Sequence, residues 1–76
     1  MLGAEMAKIP VGAGVKENTS GKLGKVCRQS GGTARGHLYV QFDGERERRT
    51  IGLQEVSYIA KTYEAAARWI AGGGPV

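Results

Sequence analysis

Residues 37–53 read HLYVQFDGERERRTIGL, and the fold depends on how this stretch is laid out. Leu38, Val40 and Phe42 alternate with His37, Tyr39 and Gln41. A period of two places alternate side chains on opposite faces of a strand, so the apolar set shares one face. Asp43-Gly44 follows, a dipeptide favoured in hairpin turns because both residues tolerate positive φ. The spacing predicts a tight hairpin whose return strand runs from about Arg46 to Ile51. With Ile51 facing inward beside Leu38, Val40 and Phe42, Arg48 and Thr50 face outward on the side of Tyr39 and Gln41. Tyr39 beside Arg48 is then either a contact pair for a ligand or a cross-strand pair that stabilises the sheet.

Working outward, Val11, Ala13 and Val15 alternate with Gly12, Gly14 and Lys16, which predicts a short strand. Asn18, Thr19, Ser20 and Gly21 form a turn cluster. Lys22 to Arg28 is expected to be a second strand with Val26 inward, and Gly24 within it marks a bulge or a close backbone approach. Ser30, Gly31, Gly32 and Thr33 form a loose connection. Downstream, KTYEAAARWIA (residues 61–71) is rich in helix formers, with Thr62 placed to cap it and Glu64 in the first turn. Tyr63, Ala66, Ala67 and Ile70 fall on one helical face, Trp69 flanks it, and the glycines after Ala71 stop it. Residues 53–60 admit either a final strand or the start of a longer helix, with Leu53, Val56, Ala60, Tyr63, Ala67 and Ile70 as its seam. Ser57, Tyr58 and Ile59 favour the strand. The expected organisation is a flexible lead over 1–10, a small antiparallel β barrel over 11–59, a C-terminal helix over 60–71 and a flexible tail over 72–76.

Seventy-six residues form one domain with a small core. Cys27 is the only cysteine, so no disulfide forms within the chain, and a reducing, cytoplasmic location is expected. No stretch approaches the ~20 apolar residues of a membrane-spanning helix. The opening MLGAEMAKIPVGAGV lacks the basic start and apolar run of a secretory signal. The net charge is +4, and its distribution is uneven. Residues 18–42 hold Lys22, Lys25, Arg28 and Arg35 with no acid, while acids and bases balance elsewhere. Concentrated charge of one sign attracts a polyanion, although a solvated basic surface gives the same count.

Catalytic and metal-binding constellations are scarce. His37 is the only histidine, and one thiol cannot supply the usual Cys/His zinc spacings. Gly21-Lys22 precedes Leu23 and Gly24-Lys25 precedes Val26, where a phosphate-binding Walker loop needs Ser or Thr, and no helix follows for a dinucleotide fingerprint. A non-enzymatic domain without cofactor or metal is expected. The remaining catalytic alternative is an oligomer that brings several copies of His37 or Tyr39 together.

The run SGKLGKV, with Gly21, Gly24 and Val26, resembles the core of a KOW- or Tudor-type sequence. The later HLYVQFDG and GLQEVSYI resemble the third strand and closing segment of the same Src-homology-3-like (SH3-like) barrels. That resemblance covers about residues 11–59, and it implies contact with RNA or DNA, or docking onto a larger assembly. The long SGGTARG loop and the added helix depart from it. LYVQFDG, RERRTIG and KTYEAAARWIA together resemble the three-stranded sheet and helix of integrase arm-binding domains. This second resemblance implies that Tyr39, Gln41, Arg46 and Arg48 face DNA.

The leading expectation is a nucleic-acid-binding module. Lys22, Lys25, Arg28 and Arg35 neutralise phosphates, Arg46, Arg48 and Arg49 add contacts, and Tyr39 offers a stacking face. Glu45 and Glu47, interleaved with the arginines, count against it. The alternative is a protein-interaction or self-associating domain that uses the barrel edge or the helix residues Tyr63, Trp69 and Ile70. Exposure of these helix residues would imply a partner. No membrane contact is expected.

Overall fold

The computed structural model describes residues 9–28 and 36–73. The chain forms β1 (Gly14–Glu17), β2 (Leu23–Cys27), β3 (His37–Phe42) and β4 (Arg49–Gly52), then a single 3₁₀ turn (Leu53–Glu55), β5 (Val56–Ala60) and α1 (Tyr63–Ala71). All strand pairs are antiparallel, in the order β4-β3-β2-β1-β5. The sheet curls into a half-barrel with the helix on its outside. The domain is therefore mainly β, as the alternating patterns predict, and residues 56–60 are strand rather than helix.

The inward sets are those of the period-two reading. Val15, Val26, Leu38, Val40, Phe42 and Ile51 are buried with Ala13 and Val56, and Ile9 and Leu53 pack at the margin. Gly24 is required by a close approach: a Cβ there would lie 2.6 Å from Val40 Cγ1 and 2.8 Å from Phe42 Cδ1. Val11 does not join β1. It lies in a turn with Gly12, whose φ is 97°, and is 56% exposed.

The hairpin after β3 corrects the sequence expectation. Gly44 has a φ of 82°, but no residue other than glycine has positive φ among the described residues, so Asp43 does not adopt the paired left-handed geometry of a two-residue turn. Glu45 N–H donates to the Phe42 carbonyl (3.1 Å), and the chain then bends through residues 46 and 47 before pairing resumes at Val40↔Arg49. The return strand therefore starts at Arg49 rather than near Arg46. The Gln41 side chain holds the bend by donating to the Glu45 carbonyl at 2.5 Å.

Asn18 ties the opposite end. Its N–H donates to the Glu55 carbonyl (2.9 Å), its side-chain amide donates to the Gln54 carbonyl (3.2 Å), and Ser57 Oγ donates to Asn18 Oδ1 (2.6 Å). The β1–β2 turn is thus fastened to the 3₁₀ turn and the start of β5.

Helix α1 begins as the sequence predicts, with Thr62 Oγ1 accepting from Ala65 N–H at 3.1 Å. Ala66 is its one fully buried residue, seated on Gly14, where a Cβ would collide with the Ala66 Cβ. Tyr63 fixes the helix at two further points. Its N–H donates to the Gly12 carbonyl (2.8 Å), and its hydroxyl donates to Asp43 Oδ1 (2.6 Å). Donating to the Asp43 carboxylate, together with partial burial, holds the Tyr63 phenol above its ordinary pKa. At the other end Gly73, with a φ of 107°, donates to the Ile70 carbonyl (3.1 Å) and closes the helix.

Gly14→Ala should lift α1 from the sheet and destabilise the fold by about 1–3 kcal/mol, as overpacking of a tight contact does. Chemical denaturation of Gly14→Ala, Ala66→Gly and the double variant checks this. The double variant should be more stable than the sum of the two single losses predicts, because the mutations relieve one shared clash.

Candidate nucleic-acid interface

Antiparallel partners project to the same face of a sheet, so the register sorts the candidate residues. Lys25 pairs with Gly14 and Gln41, and Cys27 pairs with Tyr39, which pairs in turn with Thr50. Apart from Gly14 of β1, none of these is buried, and together they form the outer face of β2, β3 and β4. Gly14 lies under α1, so the free part of this face runs from Lys25 towards Cys27, Tyr39 and Thr50. The Arg48 guanidinium carbon stands over the Tyr39 ring, 6.0 Å from its centroid. The structure thus brings Lys25, Tyr39, Gln41 and Arg48 to one surface, with Arg28 exposed at the end of β2 and Arg46 exposed in the bend. Gln41 has its amide engaged with the Glu45 carbonyl. Arg35 lies outside the described residues.

Lys22 belongs to a different cluster at the mouth of the half-barrel. Arg49 has the same parity as Ile51, so its side chain turns inward, and its guanidinium carbon lies 4.5 Å from the centroid of the Phe42 ring. Two carboxylates meet it there. Its Nη2 donates to Glu17 Oε1 at 3.0 Å and its Nη1 to Glu17 Oε2 at 3.3 Å, a forked pair, while its Nε donates to Glu45 Oε1 at 2.9 Å. Lys22 Nζ adds a bond to Glu45 Oε2 at 3.1 Å, and Ser20 Oγ donates to Glu17 Oε1 at 2.6 Å. The hydrogen bond from Arg49 is the largest cause holding the Glu17 carboxyl below its ordinary pKa, and Ser20 adds to it. For Glu45 the bond from Lys22 leads, followed by that from Arg49. The two carboxylates in turn raise Arg49.

The charge is therefore sorted by the fold. Glu17 and Glu45 are taken by Arg49 and Lys22, whereas the side chains of Lys25, Arg28, Arg46 and Arg48 make no ion pair with any described residue. Glu45, which in sequence interrupts the arginine run, is not a partner of Arg46 or Arg48. The sequence did carry a signal for the mouth cluster: placing Ile51 inward also places Arg49 inward.

The helix residues divide. Tyr63 and Ile70 are half-buried, and Trp69 is 48% exposed. Among the described residues no three His, Cys, Asp or Glu side chains gather as a metal site requires, and no helix is long and apolar enough to cross a membrane. Comparison with known proteins finds no matching family model, no matching curated protein and no matching solved structure.

The lowered carboxylates fix the sign of a pH effect. Each stabilises the fold fully above its unfolded value, near 4.5, and that contribution is lost as pH falls through the lower folded value. Thermal melts should show a drop below pH 4.5 that is smaller in the Glu17→Gln/Glu45→Gln variant. Neutral-pH melts of Arg49→Met should show a loss that shrinks with added salt, since these groups are partly open to water.

Proposed function

We propose that this domain is a non-enzymatic binding module that contacts nucleic acid through the outer face of β2, β3 and β4. The observation that carries it is the segregation of charge: Lys25, Arg28, Arg46 and Arg48 make no ion pair with any described residue, and Lys25 and Arg48 share the outer face with Tyr39, while Glu17 and Glu45 are engaged at the barrel mouth and Glu47 stands exposed in the arginine run. Unpaired cations on one face recruit phosphates and release counterions, which supplies affinity without any catalytic group. The strand order and the 3₁₀ turn between β4 and β5 support a small SH3-like barrel, in keeping with the KOW resemblance of SGKLGKV. A cytoplasmic location accords with the single free thiol, Cys27.

Titration with generic RNA and DNA at two salt concentrations tests this function. Binding should weaken steeply with salt, and Lys25→Ala or Arg28→Ala should each reduce the logarithmic salt slope by about 1. Lys22→Ala should have less effect, because its charge already faces Glu45. Absence of binding at low salt overturns the proposal.

A second function, as a protein-interaction or self-associating module, rests on Trp69. Its exposed ring lies on the helix beside half-buried Ile70, with Val11 also exposed. A light-scattering mass of one chain that is unchanged by Trp69→Ser argues against self-association, and a dimer mass lost in that variant establishes it.

A further inference from the structure

We infer that the Tyr39–Arg48 pair is a clamp for one unpaired base, which makes single-stranded RNA the ligand of the outer face. This rests on the nucleic-acid function proposed above and narrows it to one strand form.

The geometry is that of a slot closed by the Arg48 side chain. Stacked bases lie about 3.4 Å apart, so a base held between two planes needs them about 7 Å apart. The Arg48 guanidinium carbon is 6.0 Å from the Tyr39 centroid, at the outer limit of a direct cation–π contact. The Arg48 side chain must swing outward for a base to enter. Arg48 is exposed and makes no ion pair with a described residue, so that swing breaks none. Tyr39 is the fixed plane, half-buried in the middle of the sheet between Cys27 and Thr50.

The surroundings suit a strand rather than a duplex. Lys25 on β2 and Arg28 just beyond its end can take the phosphates that flank the stacked base. The exposed hydroxyl of Thr50, directly across from Tyr39, is a hydrogen-bonding partner for a ribose 2′-hydroxyl. A base inside a duplex is covered on both faces and cannot enter the slot, whereas RNA loops and single strands present bases that stack on aromatic rings and arginine planes.

The test is fluorescence anisotropy at low salt with a labelled polyuridine strand, a polythymidine DNA strand and an RNA duplex of equal length. The polyuridine strand should bind most tightly. Tyr39→Leu should lower its affinity about tenfold, and that of the duplex far less, while Tyr39→Phe keeps single-strand binding. Arg48→Lys, a surface change that leaves folding intact, keeps the charge but loses the plane, so it too should weaken the single strand more than the duplex. Duplex binding as tight as that of the single strand, or equal single-strand binding by the Leu and Phe variants, overturns the clamp and leaves the phosphate-binding function standing. Tighter binding of the DNA strand overturns the assignment to RNA. Failure of all three probes to bind overturns both proposals.

Discussion

The Arg49 guanidinium is the constraint from which much of this structure follows. An edge-strand residue of inward parity ordinarily adds an apolar group to the core. Here a cation lies over the Phe42 ring instead, 4.5 Å from its centroid, and two carboxylates must reach it. Glu17 comes from β1, three strand positions from β4. In a flat sheet those strands lie about 14 Å apart, so a forked contact at 3.0 and 3.3 Å fits a curled sheet. Glu45 comes from the bend after β3, and its position explains why the hairpin is not the tight turn that Asp43-Gly44 suggests. The chain must turn Glu45 back towards Arg49, and Gln41 secures the turn through the Glu45 carbonyl.

The same tie shapes the opposite surface. Each carboxylate engaged at the mouth is one fewer counter-charge for Lys25 and Arg48 on the outer face. Helix α1 completes the division by covering the Gly14 end of that face and fixing Asp43 through the Tyr63 hydroxyl. What stays open lies around Tyr39, bounded by Cys27, Thr50 and Arg48. The inner face is closed by the core, and the seat of α1 on Gly14 sets how much of the outer face stays open.

Strand identity was legible in the sequence wherever burial enforces a strict period of two. Leu38, Val40 and Phe42 declare their face without ambiguity, and Thr62 declares the helix start through its cap. The turn geometry was not legible, because Asp43-Gly44 expresses only a local preference and the bend answers to the contacts of Glu45 with Arg49 and with Lys22, remote in sequence. Val11 misled for a related reason. It continues the alternation of Ala13 and Val15, but Gly12 turns the chain before the strand begins. Of the candidate site, the Tyr39–Arg48 pairing followed from parity alone. That Lys22 belongs to the mouth did not, since its partner Glu45 is brought near only by the bend. Net charge along the chain therefore overstated the role of Lys22 and understated that of Glu45.

This division bears on what sort of binding such a face can support. Lys25, Arg28, Arg46 and Arg48 are few, and each neutralised phosphate contributes a counterion-release term that fades as salt rises. A surface built on those contacts alone would hold nucleic acid loosely and without regard to strand form. A ring on the same face changes the balance, because stacking is insensitive to counterions and requires an uncovered base. Tyr39 is such a ring, flanked on its own face by Cys27 and Thr50 and overlain by Arg48, whose planar group matches a base in shape. In the proposed function, selectivity for an unpaired strand would follow from the position of one aromatic side chain, and the surrounding charges would bring the strand to it.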